Sequence, residues 1–338
     1  MIETISRDRL IDLLESGADK RIAIIGDAML DVYLRGDVDR ISPEAPVPVV
    51  RVRDRELALG GAANVAQNVD AIGAQADLVC AVGDDAEGQV VKQMLRGIRS
   101  DQRSVVTVAR RTTTKTRVLA RSQQVVRFDE EEDSDITGDE VISLVRAALD
   151  AIAQADAVVL EDYNKGVLTP AVITPVMQDA RAKEIPIVVD PKYRNFFAYK
   201  GATIFKPNRR ELESALGAAV DFENAEALPE SIKRLGVDNL LLTLGDAGMA
   251  LIDATGEVGR VPTTAREVYD VVGAGDTVTA YLATMLAAGA TPAEAAVIAN
   301  FAAGVEVAKL GAATVSIEEV IEAYDHFSAT GAAEAPTT

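Results

Sequence analysis

The chain has 338 residues, enough for one large domain or two ordinary ones with a sizeable core, and its 48% apolar residues are typical of a globular protein. The formal net charge of −19 argues against a nucleic-acid partner, because such a partner requires a basic footprint that displaces counterions. The first ten residues carry charge where a signal peptide needs an apolar segment, and the longest weakly charged stretch, 297–315, contains Glu306 and Lys309. We therefore expect no export, no membrane span and a cytoplasmic location.

The single cysteine and the single histidine exclude several kinds of site. Cys80 lies in the apolar run 76–82 and is predicted to be a small hydrophobic residue of a strand, consistent with a reducing compartment. His326 lies far in sequence from every motif described below. Neither a catalytic triad with histidine nor a zinc cluster is therefore predicted.

The first part of the chain predicts a strand and a small sheet. A helical segment at 9–15 precedes the apolar run Arg21–Gly26, which is predicted to be a buried strand and is followed by Asp27 and Asp31. From 32 to 56 the chain is extended and punctuated by prolines, without a helical period. Together with strands from 115–128, this segment predicts an inserted small β-sheet.

The rest of the chain alternates between strands and helices. Strands are predicted at 78–82, 157–160, 187–190, 203–205 and 239–244, with a hairpin about 253–256. Helices are predicted at 61–72, 88–95, 139–153 and 170–183, from Glu211 onward, and in three C-terminal segments. The acidic run 129–133 is predicted to be a solvated loop. This alternation predicts an α/β fold with a mostly parallel central sheet flanked by helices, and with ligands at the carboxyl ends of its strands.

A basic segment stands out in this acidic chain. Between Ser104 and Phe128 there is no acidic residue, but there are six basic ones: Arg110, Arg111, Lys115, Arg117, Arg121 and Arg127. Such a concentration indicates an anionic small molecule bound at one place. A solvated strand face is the alternative.

The segment Asp270–Thr277 has the pattern of an anion-binding helix start. Gly273 and Gly275 flank Ala274, so the backbone can turn tightly before the apolar run 278–286. The unpaired N–H groups and partial positive charge of a helix N-terminus favour a transferring phosphoryl group. Asp276, kept ionised there, is suited to accept a proton from an attacking hydroxyl. A glycine turn capped by Asp276 is the alternative.

Three further motifs are ambiguous when taken singly. Asn64, among small residues after Gly60 and Gly61, either binds sugar hydroxyls or belongs to a closely packed helix. Asn208 and Glu211 either organise a hydrated Mg²⁺ or form a helix cap with Glu at its third position. The segment 243–248 either approaches a nucleotide or forms a plain turn. The spacing for a P-loop or a Rossmann dinucleotide site is absent from the sequence.

The order of these motifs resembles the ribokinase-like (PfkB) carbohydrate kinase family over roughly residues 20–325. The motifs are the segment 60–83, Asn208 with Glu211, Thr243-x-Gly245-x-x-Gly248, and the segment 270–276. Within the family, the segments 40–50, 113–124, 162–166 and 190–192 are similar to those of the kinases of D-glycero-β-D-manno-heptose 7-phosphate. The resemblance implies one kinase domain at 1–328, in which the small sheet is a lid, and a flexible tail at 329–338.

The resemblance also implies roles for individual residues. Asp276 would be the general base, and the backbone of Gly273, Ala274, Gly275 and Asp276 would form the anion hole for the γ-phosphate. The cofactor-binding residues would be Asn208 and Glu211, which would position Mg²⁺, with Thr243, Gly245, Gly248 and Asp270. The substrate-binding residues would be Asp27, Asp31, Gly61, Asn64, Arg117, Arg121 and Lys192, the last three for the substrate phosphate.

By this resemblance the chain would use ATP and Mg²⁺ to phosphorylate the C1 hydroxyl of the heptose 7-phosphate. The resemblance does not decide whether a monovalent cation such as K⁺ is also required. A homodimer is expected through the lid, because the valine-rich edge at 47–50 needs cover. Val271 replaces the threonine of many relatives, and the sequence has no nucleotidyltransferase domain, so we expect phosphorylation alone. A kinase of another sugar or sugar phosphate, a nucleoside kinase and a non-catalytic sugar-binding regulator are the alternatives.

Overall fold

Two β-sheets organise the molecule, which is described by a computed structural model over residues 5–331, except 101–102, 122, 221–232 and 266–267. The strands are β1 (Arg21–Gly26), β2 (Ala28–Ile41), β3 (Pro48–Gly61), β4 (Gln75–Gly83), β5 (Ser104–Val108), β6 (Thr114–Ala120), β7 (Gln123–Glu130), β8 (Ala157–Glu161), β9 (Ile187–Asp190), β10 (Ile204–Phe205), β11 (Asn239–Thr243), β12 (Met249–Asp253) and β13 (Val258–Val261). The helices are α1 (Arg7–Gly17), α2 (Ala62–Ile72), α3 (Ala86–Leu95), α4 (Asp139–Ile152), α5 (Pro170–Ala182), α6 (Arg209–Leu216), α7 (Ala274–Ala287), α8 (Pro292–Glu306) and α9 (Ile317–Gly331).

The larger sheet separates two hydrophobic cores. Its strand order is β13-β12-β11-β10-β9-β8-β1-β4-β5, with parallel pairing from β11 to β5 and an antiparallel hairpin of β12 and β13 at the other edge. Successive strand residues point to opposite faces. In β1, Ile22 and Ile24 therefore join the core that contains α2 and α7, whereas Ala23 and Ile25 join the core that contains α4 and α5.

The smaller sheet has the strand order β3-β2-β6-β7 and stands next to the carboxyl end of β1. Strands β2 and β3 pair antiparallel over almost their whole length, β2 and β6 pair parallel, and β6 and β7 form a hairpin. Only Asp27 separates β1 from β2, so the smaller sheet grows directly out of the central one. The predicted inserted sheet is confirmed, with longer strands than the segments 32–56 and 115–128 suggested.

The predicted α/β fold with a mostly parallel sheet is confirmed, and three local expectations change. The edge strand β5 was not predicted. Asp129 and Glu130 belong to β7 rather than to a solvated loop, because Asp129 pairs with Lys115 and Arg127 on the same hairpin. Residues 329–331, predicted to be tail, continue α9, and the remaining tail lies outside the described residues.

Cys80 is buried in β4, as predicted. No helix within the part of the chain that the structure describes is both long and apolar enough to cross a membrane.

Gly26, the last residue of β1, leaves space for the neighbouring strand where the two sheets meet. A Cβ atom at this position would lie 2.2 Å from the carbonyl oxygen and 2.9 Å from the Cβ of Glu161 in β8. Both Glu161 atoms are bonded directly to backbone carbons of the paired strands and cannot move independently of the sheet. Glycine is therefore required here for steric reasons.

We expect Gly26→Ala to lower the free energy of unfolding by about 1–3 kcal/mol, the usual cost of overpacking a core. Urea unfolding followed by circular dichroism measures this change. Gly97→Ala is the matched control, because the nearest atom to a Cβ there is 3.5 Å away, and its effect should stay within about 0.5 kcal/mol. Equal effects of the two substitutions would contradict the steric role of Gly26.

Candidate active site

The predicted anion-binding turn lies at the N-terminus of α7. Gly273 is the N-cap, with φ of +97°, a conformation that favours glycine. A Cβ atom there would also lie 3.0 Å from the Asn64 side-chain nitrogen and 3.2 Å from a Glu306 oxygen. The first backbone N–H groups of the helix have no partner within it. The turn can therefore receive an anion without interference from side chains.

Asp276, in the first turn of α7, is 4% exposed and has a donor on each oxygen. The side-chain amide of Asn64 in α2 donates to Oδ2 at 2.8 Å, and the Tyr163 hydroxyl donates to Oδ1 at 2.8 Å. Asn64 is itself held by Asn68, whose amide donates to the Asn64 carbonyl at 3.1 Å. The orientation of the Asp276 carboxylate is thus fixed from two sides.

Burial is the main influence on the pKa of Asp276 and raises it to about 6. The hydrogen bonds from Asn64 and Tyr163 oppose this shift by stabilising the carboxylate, while the negative charge of Asp190 adds to it. A pKa of about 6 leaves the group mostly ionised at neutral pH. It is also a stronger base than an exposed aspartate, which suits proton abstraction from a hydroxyl.

A cavity of about 300 Å³ opens on one side of the turn, between the two sheets. Asp31, Gly61, Asn64 and Arg117, four of the predicted substrate residues, line it together with Gly273 and Asp276. Asp31 and Arg117 form a buried ion pair at 2.6 Å. The ring of Tyr33 lies 5.3 Å from the Arg117 guanidinium. The structure therefore brings most of the predicted sugar-binding residues to one cavity beside the candidate base.

Three predicted substrate residues lie elsewhere. Asp27 is 1% exposed, and its carboxylate accepts bonds from the backbone N–H groups of residues 163, 165 and 167 at 2.8–3.1 Å. Arg121 occupies the turn between β6 and β7 with φ of +55°. Lys192 contacts the Glu211 carboxylate at 2.5 Å and lies 5.0 Å from the centre of the Tyr163 ring. In this structure these three side chains are not presented to the cavity.

Two basic residues that were not assigned to the substrate line the cavity instead, Lys115 and Arg127. They belonged to the basic segment, and their positions on adjacent strands β6 and β7 bring them to the same cavity. Both have acidic partners: Lys115 pairs with Asp129 at 3.2 Å and with Glu131 at 3.5 Å, and Arg127 pairs with Asp129 at 3.1 Å. The basic segment is therefore opposed in the fold by the acidic run that follows it.

A second cavity, of about 440 Å³, lies on the other side of the turn. Ala274 and Gly275 line it, and so do the predicted nucleotide residues Asn208, Thr243, Gly245 and Gly248. Most of its remaining lining is apolar and comes from Met249, Val268, Val271, Val278, Ala303 and Val307. Apolar walls with a few polar groups are suited to an aromatic base. A further cavity of about 660 Å³, between α8 and α9, contains none of the predicted site residues.

Asn208 and Glu211 form the capping box of α6. The Asn208 side-chain oxygen accepts from the Glu211 backbone N–H at 2.9 Å, and the Glu211 carboxylate accepts from the Asn208 N–H at 2.8 Å. The helix-cap alternative is therefore realised. It leaves room for a second role, because each carboxylate or amide oxygen has a further lone pair.

Asp270 holds the turn to the segment after α8. Its carboxylate accepts from the Val272 N–H at 3.0 Å and from the Gly311 N–H at 3.2 Å. These bonds fix the backbone immediately before Gly273. In this structure Asp270 therefore shapes the anion-binding turn.

A model of the pfkB family carbohydrate kinases matches residues 19–319, nearly the whole described chain. The chain belongs to this family. It is therefore a sugar kinase, with the fold and the ordered motifs that the sequence predicted.

Relatives in this family resemble the chain over most of its length. The bifunctional protein HldE of Citrifermentans bemidjiense is 42% identical over 323 residues, and that of Pelobacter propionicus is 46% identical over 305 residues. The alignments cover 95% and 89% of this chain but 66% and 62% of these relatives. The chain thus spans less than two thirds of their length.

Solved structures of low sequence identity share the fold. Phosphofructokinase-2 from Escherichia coli, solved with potassium, has a TM-score of 0.76 at 19% identity, covering 92% of this chain and 99% of its own. Ribokinase from Arabidopsis thaliana, solved with ribose and ATP, has a TM-score of 0.70 at 21% identity, covering 90% and 98%. The architecture is therefore the ribokinase-like one.

Tyr163 was missed as a site residue in the sequence, although the segment 162–166 carried part of the resemblance. Nothing in the sequence shows that a tyrosine after β8 reaches a helix more than one hundred residues later. Its hydroxyl is one of the two donors on the candidate base.

We expect kcat to fall as the pH decreases through about 6, because protonated Asp276 cannot accept a proton. Tyr163→Phe removes a donor that stabilises the carboxylate, so it should raise the pKa of Asp276 and move this acid limb upward by about 0.5–1 pH unit. Profiles of kcat against pH measure the shift. Tyr193→Phe, at an exposed tyrosine, is the control and should leave the limb in place. If the acid limb of the kcat profile does not move in Tyr163→Phe, Asp276 is not the base whose titration the profile reports.

Proposed function

We propose that this kinase transfers the γ-phosphoryl group of ATP to the C1 hydroxyl of D-glycero-β-D-manno-heptose 7-phosphate, which yields ADP and the 1,7-bisphosphate in ADP-heptose and lipopolysaccharide core synthesis. One observation carries the chemistry: the turn at the start of α7 separates two cavities, with Gly273 and Asp276 on one side and Ala274 and Gly275 on the other. A sugar and a nucleotide in these cavities would meet at the turn. The heptose itself is supported by the sequence resemblance of the segments 40–50, 113–124, 162–166 and 190–192.

In the proposed reaction, Asp276 accepts the proton of the C1 hydroxyl while the oxygen attacks the γ-phosphorus in line. The N–H groups at the start of α7 stabilise the charge on the phosphoryl oxygens. Because the transition state of phosphoryl transfer is loose, positioning and charge neutralisation dominate and the base is a secondary contribution. The bonds from Asn64 and Tyr163 keep the base oriented for this step.

ATP with Mg²⁺ is the proposed cofactor, and K⁺ is proposed as an additional cation. Asn208 lines the cavity of about 440 Å³, and Glu211 is hydrogen-bonded to it. Their amide and carboxylate oxygens fit a hydrated Mg²⁺, since Mg²⁺ usually keeps several waters. The ion would neutralise phosphate charge there. Glu306 fits a monovalent cation near Asp270, because its buried carboxyl oxygens have no hydrogen-bond donor within the described part of the chain. The ATP and potassium of the two structural neighbours support this choice.

The smaller sheet is proposed to act as a lid over the sugar. Three of its residues, Asp31, Lys115 and Arg117, already form a wall of the sugar cavity. Closure of such an element excludes water that would otherwise hydrolyse ATP.

Lys115, Arg117 and Arg127 are the proposed ligands of the substrate phosphate, in place of Arg121 and Lys192. All three line the cavity that contains Asp276. The side chain of Lys115 is 15% exposed, so a phosphate that replaces its carboxylate partners would bind in a partly desolvated site. Arg117 already pairs with Asp31 and would contribute mainly its charge.

The function is tested by ADP release across a panel of sugar phosphates and the corresponding free sugars. We expect turnover of the heptose 7-phosphate and little with the free heptose. Asp276→Asn is the negative control and should lower kcat by about 10²–10⁴-fold with little change in substrate binding. Preference for another sugar phosphate, a free sugar or a nucleoside would replace the proposed substrate, and no turnover of any of them would indicate a non-catalytic regulator.

The phosphate ligands are tested in the same assay. Lys115→Met and Arg127→Met should each raise the KM for the sugar phosphate by about tenfold or more, since a hydrogen bond to a charged group contributes a net free energy of about 1.5–3 kcal/mol and tenfold corresponds to about 1.4 kcal/mol. The control Arg121→Met should change the KM little. A larger effect of Arg121→Met than of the other two substitutions would return the phosphate site to the β6–β7 turn.

A homodimer through the smaller sheet is also proposed. This sheet exposes large apolar side chains, among them Ile41, Val52, Val126 and Phe128, which are 46–62% exposed. Exposed apolar groups of this kind are typical of an interaction surface.

Light scattering at micromolar concentration should therefore give roughly twice the chain mass of 35.7 kDa. Phe128→Lys should shift the population toward a single chain, because a charge in an apolar interface is poorly solvated. Ile142→Lys, at an exposed site on α4, is the control. A single-chain mass for the unmodified protein would overturn the dimer.

A further inference from the structure

Glu161, the last residue of β8, is a buried acid that the proposed reaction does not use. It is 0% exposed, and among the residues that the structure describes, neither of its carboxyl oxygens has a hydrogen-bond donor. A buried carboxylate without a donor is strongly unfavourable. The group must therefore be compensated in another way.

The sheet places Glu161 directly beside a second acid. Glu161 of β8 and Asp190 of β9 are paired neighbours at the carboxyl ends of parallel strands. Side chains at paired positions point to the same face, and here that face is covered by α7. One oxygen from each of Glu161, Asp190 and Asp276 lies within 4.8 Å of the other two.

The donors around this cluster are already assigned to other groups. Lys206, after β10, contacts Asp190 at 2.8 Å. Lys192, after β9, contacts the Glu211 carboxylate at 2.5 Å. Asn64 and Tyr163 donate to Asp276. Glu161 faces these charges as the one member of the cluster without a donor.

A proton compensates this arrangement without any group beyond the residues of the cluster. In the acid form, Glu161 loses its charge and becomes an O–H donor to a neighbouring carboxylate. Burial raises the pKa of Glu161 well above its usual value, and the negative charges of Asp190 and Asp276 raise it further. Burial acts on the pKa of Asp190 in the same direction, but Lys206 and Lys192 outweigh it and keep that group ionised.

Lys206, the ion-pair partner of Asp190, lies beside the proposed phosphoryl site. The Lys206 ammonium is 3% exposed and lies 3.6 Å from the position of a Cβ atom at Gly275, and Asp190 lies 3.8 Å from the same position. Lys206 is thus held immediately against the turn that separates the two cavities. Its ammonium is paired with Asp190, and Asp190 is the strand neighbour of Glu161.

We propose that Glu161 functions in its acid form, donating its proton to Asp190, and is a positioning residue that holds the Asp190–Lys206 pair against the phosphoryl site at Gly275. The protonated state is a property of the folded chain alone. The positioning role rests on the proposed kinase reaction.

The protonated state is tested by infrared spectroscopy on the ligand-free protein at pH 7.5, in buffer without divalent cations. A protonated carboxyl group has a C=O stretching band distinct from that of a carboxylate. The difference spectrum between the unmodified protein and Glu161→Gln should show the loss of one such band. Glu15→Gln, at an exposed glutamate of α1, is the control and should show none. If Glu161→Gln does not fold, the measurement uses Glu306→Gln labelled with ¹³C-glutamate, because burial raises the pKa of Glu306 to about 8 and its carboxyl group would add a band of its own. A band of protonated glutamate must persist there at pH 7.5, and its absence overturns the proposal.

The positioning role is tested by kinetics with the substrate that the panel identifies. Glu161→Gln keeps an uncharged donor of the same shape, so kcat should stay within about fivefold of the unmodified enzyme. Glu161→Met removes the donor at similar volume and should lower kcat about 10–100-fold, as displaced catalytic groups do. The unmodified enzyme should lose activity at alkaline pH as Glu161 ionises, and Glu161→Gln should lack this limb.

Two results would overturn the proposal. A loss of activity in Glu161→Gln as large as in Glu161→Met would show that the negative charge is required. A rise of about tenfold or more in the Mg²⁺ concentration for half-maximal activity, without loss of an infrared band, would make Glu161 an anionic group that acts on a cation. If nothing in the panel is turned over, the proposed function fails, and the infrared result still decides the state of Glu161.

Discussion

The arrangement of the whole site depends on one constraint, the burial of the Asp276 carboxylate at the start of α7. A carboxylate in a dry interior is stable only with donors and a favourable field. The helix N-terminus supplies the field, Asn64 supplies one donor from α2, and Tyr163 supplies the other from the chain after β8. Because the field and the two donors come from three separate segments, the candidate base is in place only when the central sheet has formed. The orientation of the Asp276 carboxylate is thus a result of folding.

The parallel sheet explains why so many acids meet at this point. The strands β1, β8 and β9 end at the same edge, and each ends with or is followed by a buried acid: Asp27, Glu161 and Asp190. Each acid is compensated differently, Asp27 by three backbone N–H groups and Asp190 by Lys206. The acids at the sheet edge therefore form buried structure beneath the site, whereas Asp31 and Asp276 line the cavity between the two sheets.

Much of this could be predicted from the sequence, and the failures have physical causes. The periodicity of apolar residues predicted most strands and helices, and the two glycines around Ala274 predicted the turn before α7, since these are local properties. The contact between Asn64 and Asp276 joins residues 212 positions apart and leaves no local signal. Arg117 and Arg121 were assigned to the substrate phosphate from the resemblance and from the concentration of basic residues. The pairing of β6 with β7 shifts after Val118, and Arg121 lies in a turn with positive φ, which the sequence does not show.

The net charge of a sequence segment does not show which of its charges are paired in the fold, and the basic segment 104–128 is an example. Its cavity-lining members Lys115 and Arg127 are opposed by Asp129 and Glu131, so the cavity is not a field of unopposed positive charge. A phosphate can bind there only by displacing carboxylates from these bases. A dianionic phosphate with three acceptor oxygens can compete for them, whereas a neutral hydroxyl cannot. In the proposed reaction, these internal ion pairs would favour the phosphorylated sugar over its free form through competition rather than through attraction alone.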